Sequence, residues 1–232
     1  MINGFYAAKA GAKVFQTSLD ITANNIANAN TQGYKAQTAS FTDLVYTNAQ
    51  GGEFLAGNGA RLASTSVLSG QGGLGQDGER SAAIEGEGFF AVQNAQGDTV
   101  YTRSGSFSLS AEGEERYLVS ADGGYVLNQN GQRIALEGED IRTAIRQAAL
   151  YSFPNPDALT ALGNSRFAAT EASGDAVIDN ASQLMESAYE LSNVDLVTEM
   201  TRMMLAQRGF QFNLRMLQTA DELEQVVNSL RT

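Results

Sequence analysis

The chain contains no cysteine, no histidine and no tryptophan, and its two prolines, Pro154 and Pro156, stand almost side by side. Without cysteine and histidine there are no disulfides, no thiolate or imidazole chemistry and none of the usual zinc ligand sets. The missing cysteine leaves the compartment open, because such a chain suits oxidising and reducing surroundings equally. No apolar run approaches the roughly 20 residues needed to cross a bilayer. The opening "MINGFYAAKAGAKVF" lacks the basic start, apolar block and small-residue cleavage site of a secretory signal. Any exit from the cytoplasm is therefore expected by another route. Cations are scarce too: 15 Lys and Arg against 26 Asp and Glu give a formal net charge of −11. That excess argues against a nucleic-acid partner, whose backbone demands a basic face, and equally against an anionic membrane surface.

With 232 residues and 43% hydrophobic composition, the chain is long and apolar enough to build one large domain or two small ones. The charge is unevenly placed. Residues 1–50 carry three Lys and two Asp, residues 181–232 four Arg and seven acids, and the middle eight Arg against seventeen acids. The chain thus reads as a nearly neutral head, an acidic glycine-rich middle and a long tail.

Both ends carry helical stripes. In the head, Phe5, Ala8, Ala12, Phe15, Leu19, Thr22 and Ile26 recur at alternating steps of three and four, the seam of a coiled-coil helix. A helix over about 3–29 would be near 40 Å long. In the tail, Leu196, Met200, Met203, Gln207, Phe210, Leu214 and Leu217 keep the same spacing, and the stripe then shifts register to Ala220, Leu223, Val227 and Leu230. Ser192 or Asn193 is the expected N-cap. No proline follows Pro156, so a helix from about Gln183 to Leu230, near 70 Å long, is expected. Val197, Met204, Leu205 and Phe212 fall off the main seam; they are read either as the core of a monomeric helical bundle or, because large apolar patches mark interfaces, as contacts with other copies of the chain.

The middle changes period. "GFFAVQNAQGDTVYTR" reads as strand, turn, strand, and "ERYLVSADGGYVLNQNGQRIAL" adds three more strands with Asp122-Gly123 and Asn130-Gly131 as hairpin dipeptides. A small antiparallel sheet or barrel is expected. Gly70, Gly72 and Gly75 match the spacing of a dinucleotide-binding loop, but no helical pattern follows, so a flexible loop is the better reading. The acids Glu112, Glu114 and Glu115, and Glu137, Glu139 and Asp140, are expected to be solvated surface rather than a metal site or a carboxylate pair. No nucleophile–base constellation is visible. No catalytic residue, cofactor or metal is therefore expected.

Four stretches resemble one family in order along the chain: "LDITANNIANANTQGYKAQ", "IEGEGFFAV" with "YTRSGSFSLSAEG" and "LVSADGGYVL", "NPDALTALGNSRFAATEASG", and "ELSNVDLVTEMTRMMLAQRGFQFNLRMLQTADEL". The chain resembles the bacterial flagellar rod and hook axial proteins, and its length favours a rod protein of the distal type or its close proximal relative. The resemblance implies a structural subunit of the basal-body rod without enzymatic activity. It implies an α+β fold, with long N- and C-terminal helices pairing as a coiled-coil-like rod and a central small antiparallel β-domain. The divisions are 1–35 (helix and Asn-rich motif, inner tube), 36–80 (Gly-rich extended linker), 81–180 (central β-domain) and 181–232 (C-terminal helix, inner tube).

The partners implied are further copies in a helical tube, other rod and hook subunits, the flagellar type III export apparatus and ring proteins, with no nucleic acid and no membrane insertion. The place implied is the basal body, reached without a cleaved signal peptide. Subunit packing is assigned to Phe5, Phe15, Leu19, Asn24, Asn25, Ile26 and Asn28, and to Leu196, Met200, Met203, Phe210, Leu214 and Leu217. Asn24, Asn25 and Asn28, mediocre helix formers, are expected to present amides that bridge to other chains, with Asn30, Thr31 and Gly33 ending the helix; the alternative is that the asparagines only weaken and cap the helix end. The alternatives are a short hook-type subunit, a secreted acidic binding module and an enzyme built on carboxylates alone.

Overall fold

A computed structural model describes residues 2–48, 55–76, 78, 80–113, 115–136 and 140–230. In chain order the head and its sequel form α1 (Ile2–Ala27), β1 (Gln37–Asp43), β2 (Thr47–Asn48), β3 (Leu55–Ala56), β4 (Ala60–Val67), β5 (Leu74–Gln76), β6 (Ala82–Glu85), β7 (Phe89–Gln93) and β8 (Thr99–Thr102). There follow β9 (Phe107–Glu112), β10 (Glu115–Ser120), β11 (Tyr125–Val126), β12 (Ala135–Leu136), α2 (Ile141–Arg146), β13 (Leu150–Ser152), β14 (Thr160–Gly163) and β15 (Arg166–Ala168). The last elements are β16 (Val177–Ile178), β17 (Gln183–Glu186), β18 (Ala188–Glu190) and α3 (Leu196–Ser229). The chain divides into two compact units. The helical unit is Met1–Ala27, Gln37–Thr65 and Asp195–Thr232, and the β unit is Asn28–Ala36 and Ser66–Val194.

In the β unit, an antiparallel sheet runs β12-β10-β11-β7-β8-β15-β14, with β13 and β16 continuing from β7 and β9 pairing β10. Its hairpins fall at the expected dipeptides. Gly123 and Gly131 take positive φ of 79° and 71°, which the turns after Asp122 and Asn130 require and glycine accepts without strain. Strand β7 explains why the sheet has two cores. Adjacent residues point to opposite faces, so Phe90 joins Ile84, Phe107, Leu118, Val126 and Ile145 on one face. Its neighbour Phe89 joins Val67, Phe153, Leu159 and Phe167 on the other. Edge-on aromatic pairs, Phe90–Phe107 at 5.2 Å and Phe89–Phe153 at 5.8 Å, lock both layers.

Two expectations change here. The tail helix begins at Leu196, not near Gln183, and the residues before it are strands β17 and β18, pairing β6 and β5. The missing proline permits a helix over 183–195 but does not demand one. Ser187, at φ 54°, breaks any helix, and Ala188 and Glu190 are buried alternately as a strand requires. Where a glycine-rich linker was expected, β1 and β4 pair with each other, β2 pairs β3, and β5 pairs β18. The glycines at 72 and 75 are there for close approach: an added Cβ would stand 2.1 Å from the Leu191 carbonyl oxygen and 2.7 Å from the Tyr189 ring. Of the acidic clusters, Glu114, Glu137 and Glu139 lie outside the described residues; Glu112 accepts from the Tyr125 hydroxyl, and Glu115 from that of Tyr117.

Candidate functional site

The helical unit is built on an antiparallel helix pair. Asn25 meets Glu199, an added Cβ on Gly209 would strike the Phe15 ring at 2.4 Å, and one on Gly11 would lie 2.7 Å from Asn213 Oδ1. In all three pairs the two numbers sum to the same value, so α1 and α3 run in opposite directions in one continuous register. The α3 side of this contact is Glu199, Met203, Ala206, Phe210, Asn213, Leu217 and Ala220, at unbroken steps of four and three, with Gly209 beside Phe210. Of the residues assigned to packing from the sequence, Met203, Phe210 and Leu217 lie on this stripe, while Leu196, Met200 and Leu214 are exposed. The apparent shift of register at Leu217–Ala220 came from following the largest side chains. The stripe that turns inward uses small and polar ones and never shifts.

On α1, Ala8, Ala12, Thr22 and Asn25 are buried, Phe15, Leu19 and Ile26 partly so, and Phe5 and Asn24 are exposed. Small residues here let the two backbones approach closely. Asn25 is 1% exposed, and its amide works within its own chain. Its Oδ1 accepts from the Gln37 backbone N–H at 2.9 Å, and its Nδ2 donates to the Gln37 carbonyl at 2.8 Å and to Glu199 Oε2 at 3.3 Å. The side chain thus imitates a neighbouring strand for the first residue of β1 and fastens it to both helices. The expectation that Asn25 bridges to another chain is corrected accordingly. Asn28 Oδ1 accepts from Thr31 Oγ1 in the turn that follows, and Gly33, at φ 64°, has no room for a Cβ beside Ser104.

The N-cap of α3 is Asp195 rather than Ser192 or Asn193. Its carboxylate accepts from the Val197 N–H at 3.0 Å and the Thr198 hydroxyl at 2.6 Å. The Thr198 hydroxyl first, and the amides of Val197 and Thr198 next, hold the Asp195 carboxyl below its ordinary range. The Asn193 side chain works in the β unit instead, accepting from the Ala36 N–H and donating to the carbonyls of Leu68 and Gly70.

Three charges that sequence reading passed over meet at the centre of the β unit. Glu190 accepts from Lys35 Nζ at 2.6 Å, from an Arg103 guanidinium nitrogen at 3.3 Å and from the Gly72 N–H at 2.8 Å. Lys35 also donates to the Gly70 carbonyl, the Arg103 guanidinium covers the face of Phe89 at 4.8 Å, and all three side chains are at most 1% exposed. Burial pushes both cations down; for Lys35 the Glu190 charge opposes this and Arg103 reinforces it. The trio ties "QGYKAQ", "YTRSGSF" and "YELSN" into one point. Each charge is the only one in its run (residues 21–42, 99–111 and 187–194), and that isolation was the available signal.

The charged residues and both helices of these contacts fall in segments that match known proteins, while Gln37, Gly70 and Gly72 lie between those segments. Residues 5–35 match the family model of the flagella basal body rod protein, residues 83–148 that of the flagellar hook protein FlgE/F/G D1 domain, and residues 177–230 that of the flagellar basal body rod FlgEFG protein C-terminal. The flagellar basal-body rod protein FlgG of Bacillus subtilis is 34% identical, with the alignment covering 100% of both chains. That of Agrobacterium fabrum is 34% identical over 95% of this chain and 96% of its own. The rod protein FlgF of Mesorhizobium japonicum is 30% identical over 99% and 98%.

The chain belongs to the flagellar basal-body rod protein family. This rod protein is a structural subunit of the bacterial flagellum, located in the basal body, and not an enzyme. It assembles with other flagellar axial proteins. Among the described residues no helix of this rod protein is long and apolar enough to cross a membrane.

Proposed function

We propose that this rod protein polymerises through α1 and α3 into the tubular shaft that transmits torque and encloses the export channel, the two helices acting as a coiled-coil-like pair. The observation that carries this reading is the placement of apolar side chains on α3. The inward stripe is filled by Ala206, Gly209 and Asn213 as much as by Phe210, while Val197, Leu205 and Phe212 are 75%, 62% and 63% exposed. A helix that faces water puts its large apolar residues inward; one that will be surrounded by other helices does not. In this reading the tube-forming part comprises α1 with α3 from Asp195 onward, and Phe5, Asn24, Leu196, Met200 and Leu214 face neighbouring subunits. Export through the type III apparatus as an unfolded chain accords with helices that gain their full partners only in the rod.

The test is deletion of the gene in its host and electron cryotomography of the basal bodies. A stub halted before the hook is the expected result, and its length distinguishes a distal position from a proximal one. Complete rods lacking hooks would move the protein to the hook class. Intact motile flagella would contradict the reading.

A further inference from the structure

The apolar and the charged parts of the β unit are completed at different points along the chain. Every buried side chain of its two apolar cores lies between Val67 and Phe167. By apolar content alone, the sheet could close as soon as residue 167 is available. The counter-charge at its centre comes later, from Glu190 in β18, the last strand of the unit. Lys35 and Arg103 precede it by 155 and 87 positions.

Neither cation has a substitute for that partner. Among the described residues, Glu190 is the only acid within ion-pair distance of either one. On Arg103 it acts more strongly than Glu87 and Asp179, which lie further off. Arg103 cannot wait outside the fold until Glu190 arrives. It follows β8 directly, and its guanidinium covers Phe89, a member of one core. Two cations buried without a counter-charge remove a large part of a domain's marginal stability.

The same terminal stretch also completes the backbone pairing. Strand β6, whose Ala82 and Ile84 belong to a core, pairs with β17. The Glu190 carbonyl accepts from the Gly33 N–H at 2.8 Å, and the Asn193 side chain bonds to Ala36, Leu68 and Gly70. The first segments of the unit thus find their partners in its last. We infer that Glu190 is a closing latch: the β unit stays open while only residues up to 182 are present, and folds when residues 183–193 join them. A chain that passes N-terminus first through a narrow channel then keeps the β unit unfolded until only residues 191–232 remain to follow. That consequence rests on the proposed export as an unfolded chain. The order of folding does not, and the purified chain tests it alone.

The full-length chain is refolded from urea and pulse-labelled by hydrogen exchange, which reads when each amide becomes protected. The amides of Leu118 and Leu127, bonded to the Ile134 and Ala91 carbonyls within the sheet, should gain protection together with those of Gly33 and Leu191. Glu190→Gln keeps the shape and removes the charge. Its refolding should slow about tenfold or more, with unfolding changed less than about twofold. Protection of Leu118 and Leu127 in a faster phase than Leu191 would overturn the latch. So would a Glu190→Gln chain that refolds at the unaltered rate and only unfolds faster, the mark of a contact made after the sheet has closed. If Glu190→Gln does not fold, Asn193→Ala carries the same test, because it loosens the same segment without stranding a charge. Its refolding should slow while its unfolding changes little; the reverse would overturn the latch. None of these results touches the rod role, which the gene deletion tests separately.

Discussion

The two units bury opposite things. The β unit closes over its largest side chains: Phe89, Phe90, Ile84, Leu118, Ile134 and Ile145 are all at most 2% exposed, and even its central Lys35, Arg103 and Glu190 are sealed. The helical unit turns alanine, glycine, threonine and asparagine inward and leaves Val197, Leu205, Phe212 and Met216 outside. In the proposed reading the difference is one of partners. A region that supplies its own core can be folded before assembly, whereas a region whose large apolar groups face outward would be part of a core that other chains complete.

That contrast is sharpest at Glu190. Replacing it by alanine leaves two buried cations without their counter-charge, which typically costs about 3–5 kcal/mol. The β unit should lose that much in denaturant titration, while the helicity of α3 changes little. Equal loss from both would break the distinction between the units. Next in size is Asn25→Ala, which removes the partner of both backbone groups of half-buried Gln37 and of buried Glu199 and should cost about 1–3 kcal/mol. The loss should be confined to protection of β1 and the helix pair. A rise in helicity with no loss of stability would mean that Asn25 merely weakens the helix. Gly209→Ala pushes a methyl into the Phe15 ring, and overpacking of this kind costs about 1–3 kcal/mol. If the alanine variant keeps its full helix-pair stability, the close approach of α1 and α3 is wrong.

The smallest effect is at Asp195, whose exposed carboxylate caps α3. Its acidity is raised in the folded chain, so its contribution is fully present above the ordinary carboxylate value of 3.8 and is lost as pH falls through its depressed folded value. Amide protection in the first turn of α3 should therefore be lost only as pH falls below that ordinary carboxylate value, and Asp195→Asn should flatten that dependence. An unaltered profile in the variant would remove the cap from the account.

Much of this contrast was legible in the sequence. The helix pair followed from steps of three and four, and the hairpins from Asp122-Gly123 and Asn130-Gly131, because those signals are local. What the sequence hid is long-range. Glu190 meets Lys35 across 155 positions and Arg103 across 87, and no periodicity relates them. The inward face of α3 was mistaken in part because hydrophobic size was taken to mark burial within one chain. On α3, Gly209 and Asn213 go in while Leu214 and Phe212 stay out, as the proposed packing by other subunits would require. Strands β17 and β18 were missed because their short alternation sits directly before a long helix and no breaker stands between them except Ser187.

The most direct test of the central claim, that α3 is half of a core completed by other subunits, is amide hydrogen exchange on the full-length free chain and on isolated rods. In the free chain, amides of Leu205–Leu230 should exchange far faster than those of Phe89–Val92, and in rods the two regions should be comparably protected. Equal protection of Leu205–Leu230 in both states would contradict the account, because the helix would then be complete without its neighbours.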